Sequence, residues 1–164
     1  MAIAPYFGVS PTSAEAGQFT AMTLDAFIDH VRTKVFPREA THMRNHRTLA
    51  GKYGLRLLAY EGGQHMVGVG PSQDNRALNA LFDAFNRDPR IKQLYLEYLA
   101  IWKREGGELF VHFNDISRYT KSGRWGALEY VAQPRVESPK FDALMTFIEL
   151  NAVWWTPREQ AARQ

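Results

Sequence analysis

The sequence predicts an α/β protein, because short apolar segments typical of strands alternate along the chain with longer segments of helical periodicity. Three segments, residues 2–8, 55–60 and 108–113, have the composition of buried strands. Enough helix separates them to return the chain to the same sheet edge, so we expect parallel strands joined by right-handed crossovers. The 164 residues fit one domain, placed at 1–156, followed by a polar C-terminal tail at 157–164.

The helices are predicted from their start and stop signals. Residues 10–18 are small and polar and are predicted to form a loop after the first strand. Thr23 is a suitable N-cap for a helix that we expect to break at Pro37, before a second helix that stops at Gly54. Further helices are predicted over 78–85, after the Asp88-Pro89 pair and after the Ser138-Pro139 pair.

Composition excludes several classes of chemistry and partner. Hydrophobic residues make up 45% of the chain and charged residues 23%, which suits a folded core. Because there is no cysteine, disulfides, thiolate nucleophiles and cysteine-based metal sites are excluded. The net charge is +3 with no basic stripe, so no nucleic-acid partner is expected. The apolar runs are short and the N-terminus lacks a signal-peptide pattern, so we expect no membrane partner and a soluble, unexported chain.

Residues able to do chemistry gather where the predicted strands end. Ligands of parallel sheets and barrels meet the C-terminal ends of the strands, which here carry Tyr6, Glu61 with His65, and Asn114 with Asp115. Glu61 stands out, because a carboxylate followed by two glycines ends an apolar strand and allows a tight turn or close approach of a ligand. The structural alternative is a solvated or Arg-paired glutamate.

Two aromatic residues have both a structural and a functional interpretation. His112 lies within the third strand, where a hydrogen-bonded structural histidine and a functional one are equally expected. Trp125 follows that strand and suits either stacking on a sugar ring or packing as a core or lid residue. The histidine and acidic spacings match no compact metal motif, and no nucleotide-binding loop or serine elbow is present, so neither metal nor cofactor is expected.

Several segments resemble the closing strands of a clan A glycoside hydrolase (β/α) barrel, as in large bacterial cellulase-like and carbohydrate-binding-type proteins. The segments are AIAPYFG (2–8), LLAYEGGQH (57–65), GGELFVHFND (106–115), GRWGALEYV (123–131) and SPKFDAL (138–144). The resemblance makes the three predicted strands similar to strands six, seven and eight of that barrel, and it spans nearly the whole chain.

The resemblance implies action on β-linked glucans or related glycans. It implies that Glu61 is the nucleophile, that Tyr6 hydrogen-bonds it, and that Trp125 forms the platform of the sugar subsite beside the scissile bond. Gln64 and His65 would line the rim as contacts to sugar hydroxyls. Asn114 and His112 complete the candidate substrate-binding set.

The chain departs from the family at the acid/base residue. The family takes that glutamate from an Asn-Glu pair, and no such dipeptide occurs in this sequence. Retaining hydrolysis needs two carboxyls about 5–5.5 Å apart, and the alternatives within the chain are Asp115 and Glu129. Whether the chain is an enzyme therefore stays open; the alternative is a non-catalytic carbohydrate-binding or assembly module derived from such a barrel.

The chain is too short to form a complete barrel of this kind. A (β/α) barrel uses about 250 residues and eight strands, whereas this chain offers about three βα units. An open sheet of that size exposes apolar surface. Three arrangements would cover it: the chain is a piece of a larger protein, it self-associates, or its sheet forms a small α/β domain of another kind. We favour a partial barrel completed by self-association, with a homo-oligomer in which Glu61 of two copies can approach each other.

Overall fold

The computed structural model describes residues 1–155 and shows an α/β fold with parallel sheets. The strands are β1 (Ala2–Ile3), β2 (Tyr6–Val9), β3 (Leu57–Ala59), β4 (Gly63–Met66) and β5 (Gly107–Phe110). The helices are α1 (Ser13–Thr20), α2 (Leu24–His30), α3 (Phe36–Lys52), α4 (Arg76–Arg87), α5 (Ile91–Arg104) and α6 (Pro139–Leu150). The predicted tail at 157–164 lies outside the described residues.

Each of the three predicted strand segments contains a strand, but the first is divided into β1 and β2, the second is reduced to β3, and the third ends at Phe110. β4 lies beyond the second segment and was not predicted. β1, β3 and β5 form one sheet in that order, and β2 pairs with β4 in a second. Ile3 lies opposite Ala59 at the end of the first sheet, and Tyr6 lies opposite Gly63 at the start of the second. The stretch between Ala59 and Gly63 is therefore one residue longer than the stretch between Ile3 and Tyr6. Residues 1–155 form no closed barrel.

Helices cover one face of the sheets. The apolar stripe of α5 is buried, and Trp102 is fully buried in it. Gly107 of β5 allows this packing, because a Cβ there would lie 2.1 Å from Cε2 of Trp102. Near the end of the described chain, Trp154 packs on Phe147 of α6 with ring centroids 5.9 Å apart.

The third strand segment exposes apolar side chains on its other face. Leu109, Val111 and Phe113 are 43%, 44% and 37% exposed, and Tyr60 in the break after β3 is 59% exposed. Alternate residues of a strand point to the same face, so the three residues of the third segment share one side. Beyond β5 the chain keeps pairing, since the N–H of Phe113 donates to the carbonyl of Gly62 at 2.8 Å. This face is not covered by the helices of residues 1–155.

The predicted loop at 10–18 is wrong, because most of it forms α1. Thr12 is the N-cap, and its N–H donates to Oε2 of Glu15 at 2.9 Å, the reciprocal bond of a capping box. The capping signal prevails over the small, polar composition of the segment.

The predicted break at Pro37 is also wrong. A π-helical turn, Val31–Val35, joins α2 to α3, and the N–H of Phe36 closes that turn by donating to the carbonyl of Val31. Pro37 falls in the first turn of α3, where a missing N–H breaks no helical hydrogen bond. The predicted start at Thr23 and stop at Gly54 are confirmed. The side chain of Thr23 accepts a hydrogen bond from the N–H of Ala26 at 3.2 Å, and Gly54 follows the end of α3 with φ +62°.

The last two predicted helices begin close to where the sequence places them. α6 starts at the Ser138-Pro139 pair. α5 starts at Ile91, with the N–H of Ile91 donating to the carbonyl of Asp88 at 3.0 Å. Within residues 1–155, no helix combines the length and apolar character needed to cross a membrane.

Candidate functional site

Glu61 lies in the break between β3 and β4 rather than at the end of a strand. Tyr6 begins β2 on the neighbouring segment, and its side chain lies close enough to the Glu61 carboxylate to feel its charge. The pKa of Tyr6 is raised, first by burial and then by the negative charge and hydrogen bond of Glu61. The structure thus brings together the two residues that the resemblance pairs, and it keeps the tyrosine as a neutral donor.

The two glycines after Glu61 are required by packing within the protein. A Cβ on Gly62 would lie 2.7 Å from Cζ of Phe110, and one on Gly63, which has φ +137°, would lie 3.0 Å from Nε2 of His112. The third strand segment therefore presses against this backbone. Close approach of a ligand is not needed to explain the glycine pair.

A row of partly exposed rings continues from Tyr6. The His65 ring lies edge-on to Tyr6 with centroids 5.5 Å apart, and the Trp125 ring lies 5.9 Å from His65. Phe113 contacts the far side of the row, 5.8 Å from Trp125. Such a row, with a carboxylate at one end, suits the alternating apolar faces and hydroxyls of a sugar chain.

His65 is held by a residue that was not predicted from the sequence. Oγ of Ser10 lies 3.0 Å from Nδ1 of His65. Burial lowers the pKa of His65, so its ring is neutral at pH 7 and has one donor and one acceptor nitrogen. Ser10 fixes the ring orientation, which leaves Nε2 for another partner. Nothing in the sequence pattern links Ser10 to His65; the parallel pairing of β2 with β4 does.

Trp125 is positioned by the loop that follows the third strand segment. The loop folds back on itself, with the N–H of Asn114 donating to the carbonyl of Trp125 at 3.2 Å and the N–H of Ala127 donating to the carbonyl of Asn114 at 2.9 Å. The indole lies over Gly123, where a Cβ would come within 2.1 Å of Cζ3. Nε1 of Trp125 is buried without a hydrogen-bond partner. The accessible part of the side chain is therefore carbon surface.

The expected rim position of Gln64 is wrong, because its side chain is fully buried. Nε2 donates to the carbonyl of Arg124 at 2.6 Å, and Oε1 accepts the N–H of Met66 at 3.0 Å. The alternation of β4 turns Gln64 inward and His65 outward. Gln64 holds the Trp125 loop to the sheet and is closed to a sugar hydroxyl.

His112 and Asn114 are both bonded within the protein. Nε2 of His112 lies 3.2 Å from the hydroxyl of Tyr95, and burial lowers the pKa of this histidine to about 4. The structural interpretation of His112 is thus the one its contacts support. The side chain of Asn114 accepts a hydrogen bond from the hydroxyl of Ser117 at 3.0 Å and braces the loop.

The two candidate acid/base residues occupy different surroundings. Asp115 is exposed on the loop, and its backbone carbonyl accepts the N–H of Leu128 at 2.9 Å. Both carboxylate oxygens of Glu129 are bound by Arg87, at 2.7 and 2.5 Å. Glu129 is therefore engaged in an ion pair, whereas the side chain of Asp115 faces solvent.

Two buried cations behind the loop were not predicted either. Arg124 is 1% exposed and donates to Asp83 at 2.5 Å, and Lys140 is fully buried in the first turn of α6. Lysine and arginine are rarely buried, and no sequence pattern marked these two. No group of three or more His, Asp or Glu side chains in the described part of the chain is arranged to hold a metal ion.

Searches with protein-family models, among curated proteins and among solved structures found no match to this chain.

Proposed function

We propose that the chain carries the nucleophile part of a retaining glycosidase site that acts on β-linked glucans or related glycans. The observation that carries the proposal is the placement of Tyr6 close to the Glu61 carboxylate, whose charge raises the pKa of the tyrosine, beside the ring row of Tyr6, His65 and Trp125. In this proposal the Tyr6 hydroxyl orients the carboxylate for attack. The rings supply the apolar surface on which a sugar stacks.

The chemistry follows from one carboxylate and its donor. An oxygen of Glu61 attacks the anomeric carbon of the sugar, the bond from that carbon to the leaving oxygen breaks, and the bonding electrons leave with the aglycone. A glycosyl ester on Glu61 results, and water hydrolyses it in a second step. As the ester forms, the negative charge on Glu61 is lost, so the hydrogen bond from Tyr6 helps to set the reactivity of the carboxylate.

The missing second carboxyl determines which substrates react. A natural sugar alcohol is a poor leaving group and needs a proton from a general acid. A 2,4-dinitrophenolate leaves without protonation. The described site should therefore react with 2,4-dinitrophenyl β-glycosides and stay nearly inert to oligosaccharides unless another chain supplies the acid.

The test is the release of dinitrophenolate from 2,4-dinitrophenyl β-cellobioside, followed by stopped-flow absorbance. We expect a burst of about one equivalent per protein followed by slow turnover, which is the kinetic fingerprint of a covalent intermediate. Glu61→Gln should abolish the burst. Glu137→Gln, which changes an exposed glutamate after the loop, is the matched control and should leave it intact. An unchanged burst in Glu61→Gln would remove the nucleophile assignment.

A second candidate function is recognition of glycans without turnover. The observation that favours it is the engagement of both Glu129 oxygens by Arg87, which occupies one of the two acid/base candidates. This function predicts cello-oligosaccharide binding that survives Glu61→Gln, weakens in Trp125→Ala and is accompanied by no burst. Isothermal titration with cellohexaose distinguishes the two functions.

The partial-barrel architecture and its completion by self-association belong to the same proposal. The exposed face of the third strand segment, with Leu109, Val111 and Phe113, is the surface that a second copy would cover. A carboxylate of that copy could then supply the acid. Light scattering tests this part: a dimer mass that Val111→Lys converts to a monomer mass supports it, and a wild-type monomer at micromolar concentration contradicts it.

A further inference from the structure

A fully buried lysine lies directly behind the Trp125 loop. Nζ of Lys140 donates to Oδ1 of Asn86 on α4 at 3.1 Å and to the backbone carbonyl of Arg124. Both acceptors are neutral. The nearby carboxylate of Glu129 is already bound to Arg87. Burying an amine costs free energy that an apolar side chain would not incur, so the contacts of this one deserve a functional explanation.

The contacts of Lys140 reach both neighbours of Trp125. On one side, the carbonyl of Arg124 accepts from Lys140 and also from Nε2 of Gln64 at 2.6 Å. On the other side, Nζ of Lys140 lies 4.3 Å from the centre of the Tyr119 ring, and the Tyr119 hydroxyl donates to the carbonyl of Gly126 at 3.2 Å. The carbonyl groups of Arg124 and Gly126, on either side of Trp125, are thereby held relative to α6, the first directly and the second through Tyr119.

The loop is also anchored to α4 through Arg124. The Arg124 guanidinium donates to Asp83 at 2.5 Å and to Oδ1 of Asn79 at 2.8 Å. α4 therefore holds the side chain of Arg124, whereas α6 holds its carbonyl. Lys140 is the connection between the loop backbone and α6, and removing it should leave the α4 anchor in place.

We infer that Lys140 is a positioning residue for the Trp125 platform. It holds the carbonyl of Arg124 directly and that of Gly126 through Tyr119, so that the indole keeps its place in the ring row next to His65. The loop position follows from the contacts alone, whereas the effect on ligand rests on the proposed function. Lys140 itself touches no substrate, since it is buried behind the loop.

The charged and titratable groups around Lys140 come from every element packed on it. Arg87 of α4, Arg124, Tyr119 and Glu129 of the loop region, and His112 of the third strand segment face it. Burial is the main cause that lowers the pKa of Lys140 well below its usual value, the two guanidiniums add to this, and Glu129 opposes it.

The test follows the position of Trp125 without any ligand. Protein labelled with 5-fluorotryptophan gives one ¹⁹F resonance for each of its four tryptophans, and Trp125→Phe identifies the relevant one. In Lys140→Met, which keeps the length and loses the donor, we expect the Trp125 resonance to shift or broaden while that of Trp102 stays unchanged. Lys140→Gln should give a smaller shift than Lys140→Met, because the glutamine amide can still donate a hydrogen bond.

Two further variants make the comparison specific. Lys92→Met is the matched control, because Lys92 also binds α6, through Asp142 at 2.7 Å, but does not touch the loop. It should leave the Trp125 resonance in place. Tyr119→Phe keeps the ring beside Lys140 and removes only the bond to Gly126, so it should shift the resonance even if Lys140→Met fails to fold.

The outcomes separate the inference from the proposed function. An unchanged Trp125 resonance in folded Lys140→Met, or in folded Lys140→Gln where Lys140→Met is unfolded, overturns the inference. A shifted resonance with about tenfold weaker cellohexaose binding, about 1.4 kcal/mol, supports both. A shifted resonance in a protein whose wild type binds no glycan supports the positioning role and refutes the proposed function.

Discussion

Replacing Gln64 by leucine tests the finding that this residue is structural rather than a sugar contact. Leucine has a similar side-chain volume but removes the hydrogen bonds of the amide to Arg124, Met66 and, at 3.5 Å, Asn86. The carbonyl of Arg124 retains Lys140 as a donor, whereas the buried N–H of Met66 is left without the acceptor 3.0 Å away. The unpaired N–H is thus the main consequence.

The expected loss of stability follows from these contacts. A buried polar group left unpaired costs about 1–3 kcal/mol, and a lost hydrogen bond whose acceptor keeps another donor costs about 0.5–1.5 kcal/mol. Gln64→Leu should therefore lower the free energy of unfolding by about 2–4 kcal/mol. At about 2–4 °C per kcal/mol for a chain of this size, the midpoint of thermal unfolding should fall by about 5–15 °C.

Urea unfolding followed by circular dichroism measures the change directly. The matched control is Gln93→Leu, an exposed glutamine on α5, which should stay within about 0.5 kcal/mol of wild type. The structural role of Gln64 would be refuted if Gln64→Leu kept wild-type stability. Loss of glycan binding at unchanged stability would instead indicate that Gln64 contacts the glycan.

Three further predictions concern packing, capping and pH. Gly107→Ala should lower the free energy of unfolding by about 3 kcal/mol, because the added Cβ would lie 2.1 Å from the Trp102 ring. Gly17→Ala in α1, where nothing lies within 4 Å of the added Cβ, should raise it by about 0.5–1 kcal/mol. Urea unfolding of both variants checks this. Thr23→Ala should lower the free energy of unfolding by about 1 kcal/mol through loss of the cap to Ala26, and equal stability would contradict that role. The pKa of His112 is lowered to about 4, so the folded state disfavours its protonation, and stability present above pH 6.5 is lost as the pH falls towards 4. Wild type should lose up to about 3 kcal/mol more than His112→Asn between pH 7 and 4, and parallel pH profiles would show that His112 is not the cause.

The α/β class and the order of its elements could be predicted because they depend on local patterns. Apolar composition marked the three strand segments, and cap and stop signals placed the ends of several helices. The failures at residues 10–18 and at Pro37 have local causes as well. A Thr12-to-Glu15 capping box and a π-helical turn each changed the outcome that composition favoured.

The candidate site was only partly predictable, since its details depend on tertiary contacts. The pairing of Tyr6 with Glu61 followed from adjacent parallel strands together with the family resemblance. The inward turn of Gln64 could not be predicted, because the break at Glu61 shifts the register of the second sheet. The burial of Lys140 depends on acceptors from α4 and from the loop, which are distant in sequence.

The central claim is that Glu61 is a nucleophile, and trapping the glycosyl ester tests it most directly. The wild-type protein is incubated with 2,4-dinitrophenyl 2-deoxy-2-fluoro-β-cellobioside, whose fluorine slows hydrolysis of the ester, and its intact mass is measured before peptide mapping. We expect one fluoroglycosyl group per chain on the peptide that contains Glu61, and none in Glu61→Gln. No adduct on the folded wild-type protein, or an adduct mapped to another residue, would contradict the claim.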